Sequence, residues 1–150
     1  MDPVSLTAAI LSVTFNCAKA TIGVHNLIRT YEDVPSLLSA VCTDCSLISL
    51  TLSRLEMLLL QEDEYASARF ADQSVVETIA KALKECEVTL SELDSKATKI
   101  MEGIVEEGVK RVWKKVRFMW EESDMEGLSN RLRYHQISLS SLLQVFQSFW

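Results

Sequence analysis

The spacing that most resembles a chemical motif is Cys42-Thr-Asp-Cys45, the C-x-x-C of redox pairs and zinc sites. A zinc ion would need two further ligands from Cys17, Cys86, His25 and His135, which belong to other stretches of the chain. A redox pair would need a strand-to-helix setting, and the surrounding pattern offers only helix. On a helix, positions i and i+3 put two small apolar residues on one face, and buried thiols behave as small hydrophobes. The expectation is four reduced cysteines, three of them directly on apolar stripes, as suits an intracellular protein.

His135 falls in the apolar seam of the last helical stretch. It is read as a core or rim histidine with a satisfied ring, with a pH-sensitive buried group as the alternative. Gly103-Ile-Val-Glu-Glu-Gly108-Val-Lys110 superficially resembles a phosphate loop. Its lysine is displaced by one residue, no Ser or Thr follows, and two glutamates would face the phosphates, so it is rejected. No Ser/His/Asp or Cys/His set can be assembled, and the carboxylates fall on solvated faces or in loops. The chain reads as a non-enzyme with no catalytic residue, metal or cofactor.

The remaining chemistry is that of surfaces. Val109 to Trp120 reads VKRVWKKVRFMW, with Val109, Val112, Trp113, Val116 and Trp120 on one face. Lys110, Arg111, Lys114, Lys115 and Arg117 fill the rest. Cations beside Trp113, Phe118 and Trp120 suit an anionic lipid surface, where each Lys or Arg contributes about 1 kcal/mol. The plainer alternative is that the aromatics cap a core while the cations stay solvated or pair with Glu121, Glu122 and Asp124.

These residues need long helices to position them. The first runs from Val4 to about Thr30, after a helix-start signal at Asp2-Pro3, and carries no charge from Pro3 to Ala18. It has two apolar stripes. Leu6, Ile10, Val13, Cys17, Ala20, Val24 and Leu27 form one, and Val4, Ala8, Leu11, Phe15, Ala18 and Ile22 form the other. Residues two apart on a helix are separated by about 200°, so the stripes face nearly opposite ways. Such a helix is expected either as a core helix packed on both sides or as one that leaves the bundle for lipid. The 16 uncharged residues fall short of the ~20 of a spanning helix, so a resting transmembrane anchor is not expected.

Pro35 opens the second helix, about Ser36 to Gln61, with Leu38, Val41, Cys45, Ile48, Leu52, Leu55 and Leu59 in heptad register. Leu37, Leu47, Leu50, Met57 and Leu58 widen its apolar surface, which predicts a place deep in the bundle. Residues 62–73 read as a loop, with a short turn of helix at 66–71. Ser74-Val-Val-Glu77 is a capping box opening a third helix through Val76, Ile79, Leu83, Cys86, Leu90, Leu93, Ala97, Ile100 and Ile104, its end bracketed by Gly103 and Gly108. A second box, Ser123-Asp-Met-Glu126, opens the last helix. Its stripe is Leu128, Leu132, His135, Leu139, Leu142, Phe146 and Phe149.

With 150 residues, 4 Gly and 2 Pro, the composition favours one domain of a few long helices. The expected fold is an all-α, antiparallel four-helix bundle with an additional short amphipathic helix, Val109 to Trp120, before the last long one. A net charge of −6 argues against nucleic acid as a partner. Met-Asp-Pro lacks the positive start of a secretory signal. The uncapped apolar end at Phe149 and Trp150 leads to the expectation of an N-terminal module in a longer protein.

MDPVSLTAAILSV with Lys19 shortly after, and VWKKVRFMWEESDMEGLSNRLRYHQISLSSLL from Val112, together resemble the HeLo-like domains of fungal signal-transducing NTPase receptors and cell-death effectors. The resemblance covers essentially the whole chain. It implies a helical bundle similar to the four-helix domain of the mixed-lineage-kinase-like executioner of necroptosis. It also implies an effector, cytoplasmic at rest, that self-associates when a sensor or receptor domain of the same or another chain drives it, and that then targets the plasma membrane through its N-terminal helix. By position that helix is Val4 to Ala20, with Val4, Leu6, Ile10, Leu11, Val13 and Phe15 as the targeting residues. Contact of anionic lipids with Lys110, Arg111, Trp113, Lys114, Lys115, Arg117 and Trp120 comes from the residues themselves. A non-lytic adaptor that self-associates through an apolar face is the second expectation.

Overall fold

A computed structural model describes residues 3–30, 36–60, 73–108 and 123–148. They form four helices: α1 (Pro3–Thr30), α2 (Ser36–Leu60), α3 (Gln73–Glu107) and α4 (Ser123–Ser148). Among the described residues there is no strand, and the chain is an all-α bundle. The short amphipathic helix expected at 109–120 and the loop at 62–72 lie outside the described residues.

One stripe of each helix builds the core. Leu6, Ile10, Val13, Cys17, Ala20, Val24 and Leu27 of α1 are sealed against Leu38 through Leu55 of α2, Val76 through Ile100 of α3, and Leu128, Leu132 and Leu139 of α4. Three-four spacing keeps each row on one side of its helix, so every row meets the other three at the bundle axis. On α4 the row passes through buried Leu143, and Leu142 is only half-buried. A period of 3.6 rather than 3.5 drifts the buried side forward by one residue over these turns.

α3 does not end at Gly103. It continues to Glu107 and stops at Gly108, whose φ of 86° is the left-handed conformation that glycine adopts without a Cβ clash. The Ser123 box coincides with the first residue of α4, and α3 begins one residue before Ser74.

α1 packs on α2 and α3, and α4 packs on the same two, so the ring order is α1, α2, α4, α3. Contacts at constant offset fix the directions. Ser12 and Asn16 of α1 reach Glu87 of α3, and Lys19 reaches Asp94, so α1 and α3 are parallel. A Cβ at Gly23 would stand 3.4 Å from the Cβ of Ala97, so the bare glycine lets the two backbones close up. Thr51 of α2 faces Ser140 of α4, and Asp44 feels Arg133, so these two helices are also parallel. Thr89 pairs with His135 and Glu92 with Arg131, which makes α3 and α4 antiparallel. Consecutive helices therefore alternate in direction, with α2 and α3 across the diagonal.

Candidate functional site

α1 is a helix with one face in the core and the opposite face at the surface. Leu11, Phe15 and Ile22 are 49%, 69% and 61% exposed, and Ala8 and Ala18 complete the stripe. This corrects the expectation of a helix packed on both sides. A four-membered ring has no central position, so each helix must turn one side outward, and the outer side of α1 is the apolar one. α2 behaves similarly: Leu50 and Met57 are 54% and 65% exposed and Leu47 is also at the surface, so it does not sit deep in the bundle. The two surfaces occupy neighbouring corners of the ring. α3, by contrast, shows Lys81, Lys84, Glu85 and Glu102 to water.

Polar groups on α1 are arranged so that the stripe stays free of charge. Lys19 turns aside to Asp94 of α3 at 3.3 Å. Thr14 and Thr21 donate to the carbonyls of Ile10 and Cys17 at 2.8 and 2.7 Å, so their hydroxyls are satisfied within the helix. α2 does the same with Thr43, Ser46, Thr51 and Ser53. Ser5–Arg29 and Leu38–Leu58 are each long and apolar enough to cross a membrane, with mean hydropathies of 1.3 and 1.2. Only 28% of the first window is buried in the bundle, so most of it is not consumed as core.

The residues expected to target a membrane divide accordingly. Leu11 and Phe15 are at the surface; Leu6, Ile10 and Val13 are sealed in the core, because they belong to the stripe facing α2 and α3. The side chain of Val4 lies outside the described residues, as do Lys110, Arg111, Trp113, Lys114, Lys115, Arg117 and Trp120.

Cys42 is half-buried and Cys45 fully buried, and the cysteines are free thiols. Among the described residues, no three His, Cys, Asp or Glu side chains converge as a metal set. Burial pushes Cys17 up to about 11 and Cys86 up to about 12, and raises Cys45 as well. Cys17 Sγ donates to the Cys45 carbonyl at 3.2 Å, so this layer is a packed, protonated thiol contact across α1 and α2. Such thiols are poor nucleophiles. His135 is buried and its Nε2 stands 2.8 Å from the Thr89 hydroxyl, the satisfied arrangement. Burial holds its pKa below the ordinary value, with Glu85 raising it and Arg131 lowering it. An open groove of about 450 Å³ runs beside it, lined in part by Lys81, Glu85, Tyr134 and Ile137.

Two features were missed in the sequence. Glu87 accepts from both Ser12 (2.9 Å) and Asn16 (2.8 Å), tying α1 to α3. Asp44 is buried, with no hydrogen-bond partner at its Oδ2. Comparison with protein-family models, with curated proteins and with solved structures yields no match.

Proposed function

We propose that this chain is a HeLo-like effector module that self-associates and targets membranes through α1. The observation that carries the reading is the outward stripe Leu11, Phe15 and Ile22 on a helix whose other face anchors the bundle. Contiguous apolar surface on a folded domain marks a site for lipid or protein. The hydroxyls of Thr14 and Thr21 are satisfied within α1 and would cost little in hydrocarbon, whereas Ser12, Asn16 and Lys19 would have to leave Glu87 and Asp94. First contact needs no unfolding, since the stripe is already outside. Deeper insertion would also bring the core stripe of α1 to lipid, and so would have to break its packing on α2 and α3. On this reading the protein is cytoplasmic at rest and reaches the plasma membrane when a sensor or receptor domain of the same or another chain gathers copies of it. The basic-aromatic segment from Lys110 to Trp120 adds attraction to anionic headgroups.

The second reading, a non-lytic adaptor, draws on Leu47, Leu50 and Met57 of α2, which extend the apolar surface beyond the lipid-directed helix. Flotation with phosphatidylserine-containing vesicles, run beside light scattering in solution, separates the two. The effector reading expects vesicle binding that weakens when Lys110, Arg111, Lys114 and Lys115 are neutralised. Self-association without any vesicle binding would favour the adaptor, and a strict monomer that ignores vesicles would sink both.

A further inference from the structure

The two parallel seams of the bundle differ in how their polar groups are satisfied. In the α1/α3 seam, Glu87 takes hydrogen bonds from Ser12 and Asn16, Lys19 meets Asp94, and Gly23 closes on Ala97. In the α2/α4 seam, Asp44 is 7% exposed and its Oδ2 has no hydrogen-bond partner. One turn pair further along, Thr51 and Ser140 stand 3.4 Å apart, with Gln136 donating to Ser140 at 3.3 Å. A carboxylate oxygen held out of water with no donor opposite it is destabilising until the group is protonated, paired or rehydrated.

We propose that the α2/α4 seam is the side on which the bundle opens, with the buried Asp44, whose Oδ2 has no hydrogen-bond partner, as the weak point that gains water when α4 parts from α2. Opening there leaves the α1/α3 clasp closed and uncovers Ile48 and Leu52 of α2 together with Leu132 and Leu139 of α4. The inference concerns which seam yields, and it stands whether or not α1 meets lipid.

The charged and titratable surroundings of Asp44 support the sign. From α4, Arg133 favours the carboxylate, but burial is the larger effect and raises its pKa above the ordinary 3.8. On α2 the neighbouring Cys45 thiol is held protonated by burial; on α1, Cys17 is likewise protonated against Cys45, and Lys19 lies away in the α1/α3 seam on Asp94. A carboxyl whose folded pKa is raised binds its proton more tightly in the closed bundle than in the unfolded chain. Its protonation therefore tightens the seam as pH falls through the folded value, and ionisation at neutral pH loosens it. His135, two residues from Arg133 and facing α3, acts in the opposite sense at acid pH. The comparison must therefore be between Asp44→Asn and the parent protein at each pH, where the histidine cancels.

Two measurements decide it. Thermal unfolding of Asp44→Asn should show a rise of about 2–4 °C over the parent near neutral pH, shrinking toward zero once the pH falls below the ordinary carboxyl value of 3.8, where folded and unfolded chains both hold the proton. Amide exchange in the unmodified protein should release the facing segments of α2 and α4 before those of α1 and α3. A lowered melting temperature, a gain equal at both pH values, or earlier exchange along α1 and α3 would overturn the proposal. The exchange experiment stands on its own if the variant folds poorly.

Discussion

Phe15 and Cys17 stand two residues apart on α1 and face opposite ways: Phe15 is 69% exposed, while Cys17 is sealed with its Sγ 3.2 Å from the Cys45 carbonyl. The 200° between them is ordinary helix geometry. Its consequence is a helix that anchors the fold with one side and offers an uncharged surface with the other. Neither side can turn without the other, so a single helix both anchors the core and presents the apolar surface.

The clasp between α1 and α3 should be measurable as a network. Glu87→Ala removes the acceptor of both Ser12 and Asn16 and should cost about 1–3 kcal/mol in urea unfolding. Ser12→Ala leaves Asn16 still bonded and should cost under about 1 kcal/mol. A double-mutant cycle between Asn16 and Glu87 should return a coupling of either sign well above the ~0.5 kcal/mol expected for independent sites.

Much of this architecture was legible in the sequence. The three-four rows from Leu6 to Leu27 and from Val76 to Ile100 are buried as their spacing implied, because periodicity alone fixes which residues share a side. Ring order was not legible. The 12 residues between Leu60 and Gln73 can reach either a neighbouring or a diagonal corner, and only contacts such as Asn16 with Glu87 decide. The exposure of Leu11 and Phe15 was also hidden, since an apolar stripe looks the same whether it is buried or bare. Asp44 was passed over because its burial depends on the partner helix, which local pattern cannot supply.

The cysteines should differ in reactivity by position. Cys42 is half-buried and should be labelled first by an aromatic disulfide reagent under native conditions. Cys17, Cys45 and Cys86 have thiols raised by burial, and should react at least about a hundredfold more slowly than free cysteine until the bundle unfolds. Rapid native labelling of all four would contradict the packed thiol layer.

Acid should weaken the α3/α4 contact through His135. Burial keeps its ring neutral in the fold below its ordinary value of 6.5, whereas the unfolded chain takes up the proton at that value. The unfolded state then binds more protons, so stability falls as pH drops from about 6.5 toward the lower folded value. His135→Gln should flatten this part of the pH–stability curve in urea titrations. An unchanged slope would show that the ring does not carry the effect.

The most direct test of the central claim is dye release from vesicles of phosphatidylcholine and phosphatidylserine by the double variant Leu11→Glu, Phe15→Glu. Both side chains are at the surface, so each substitution should change stability by no more than about 0.5 kcal/mol. If the outer stripe of α1 is the working surface, the parent protein releases dye when oligomeric and the folded double variant does not. Equal release by the parent and by a variant of unchanged melting temperature would contradict the account.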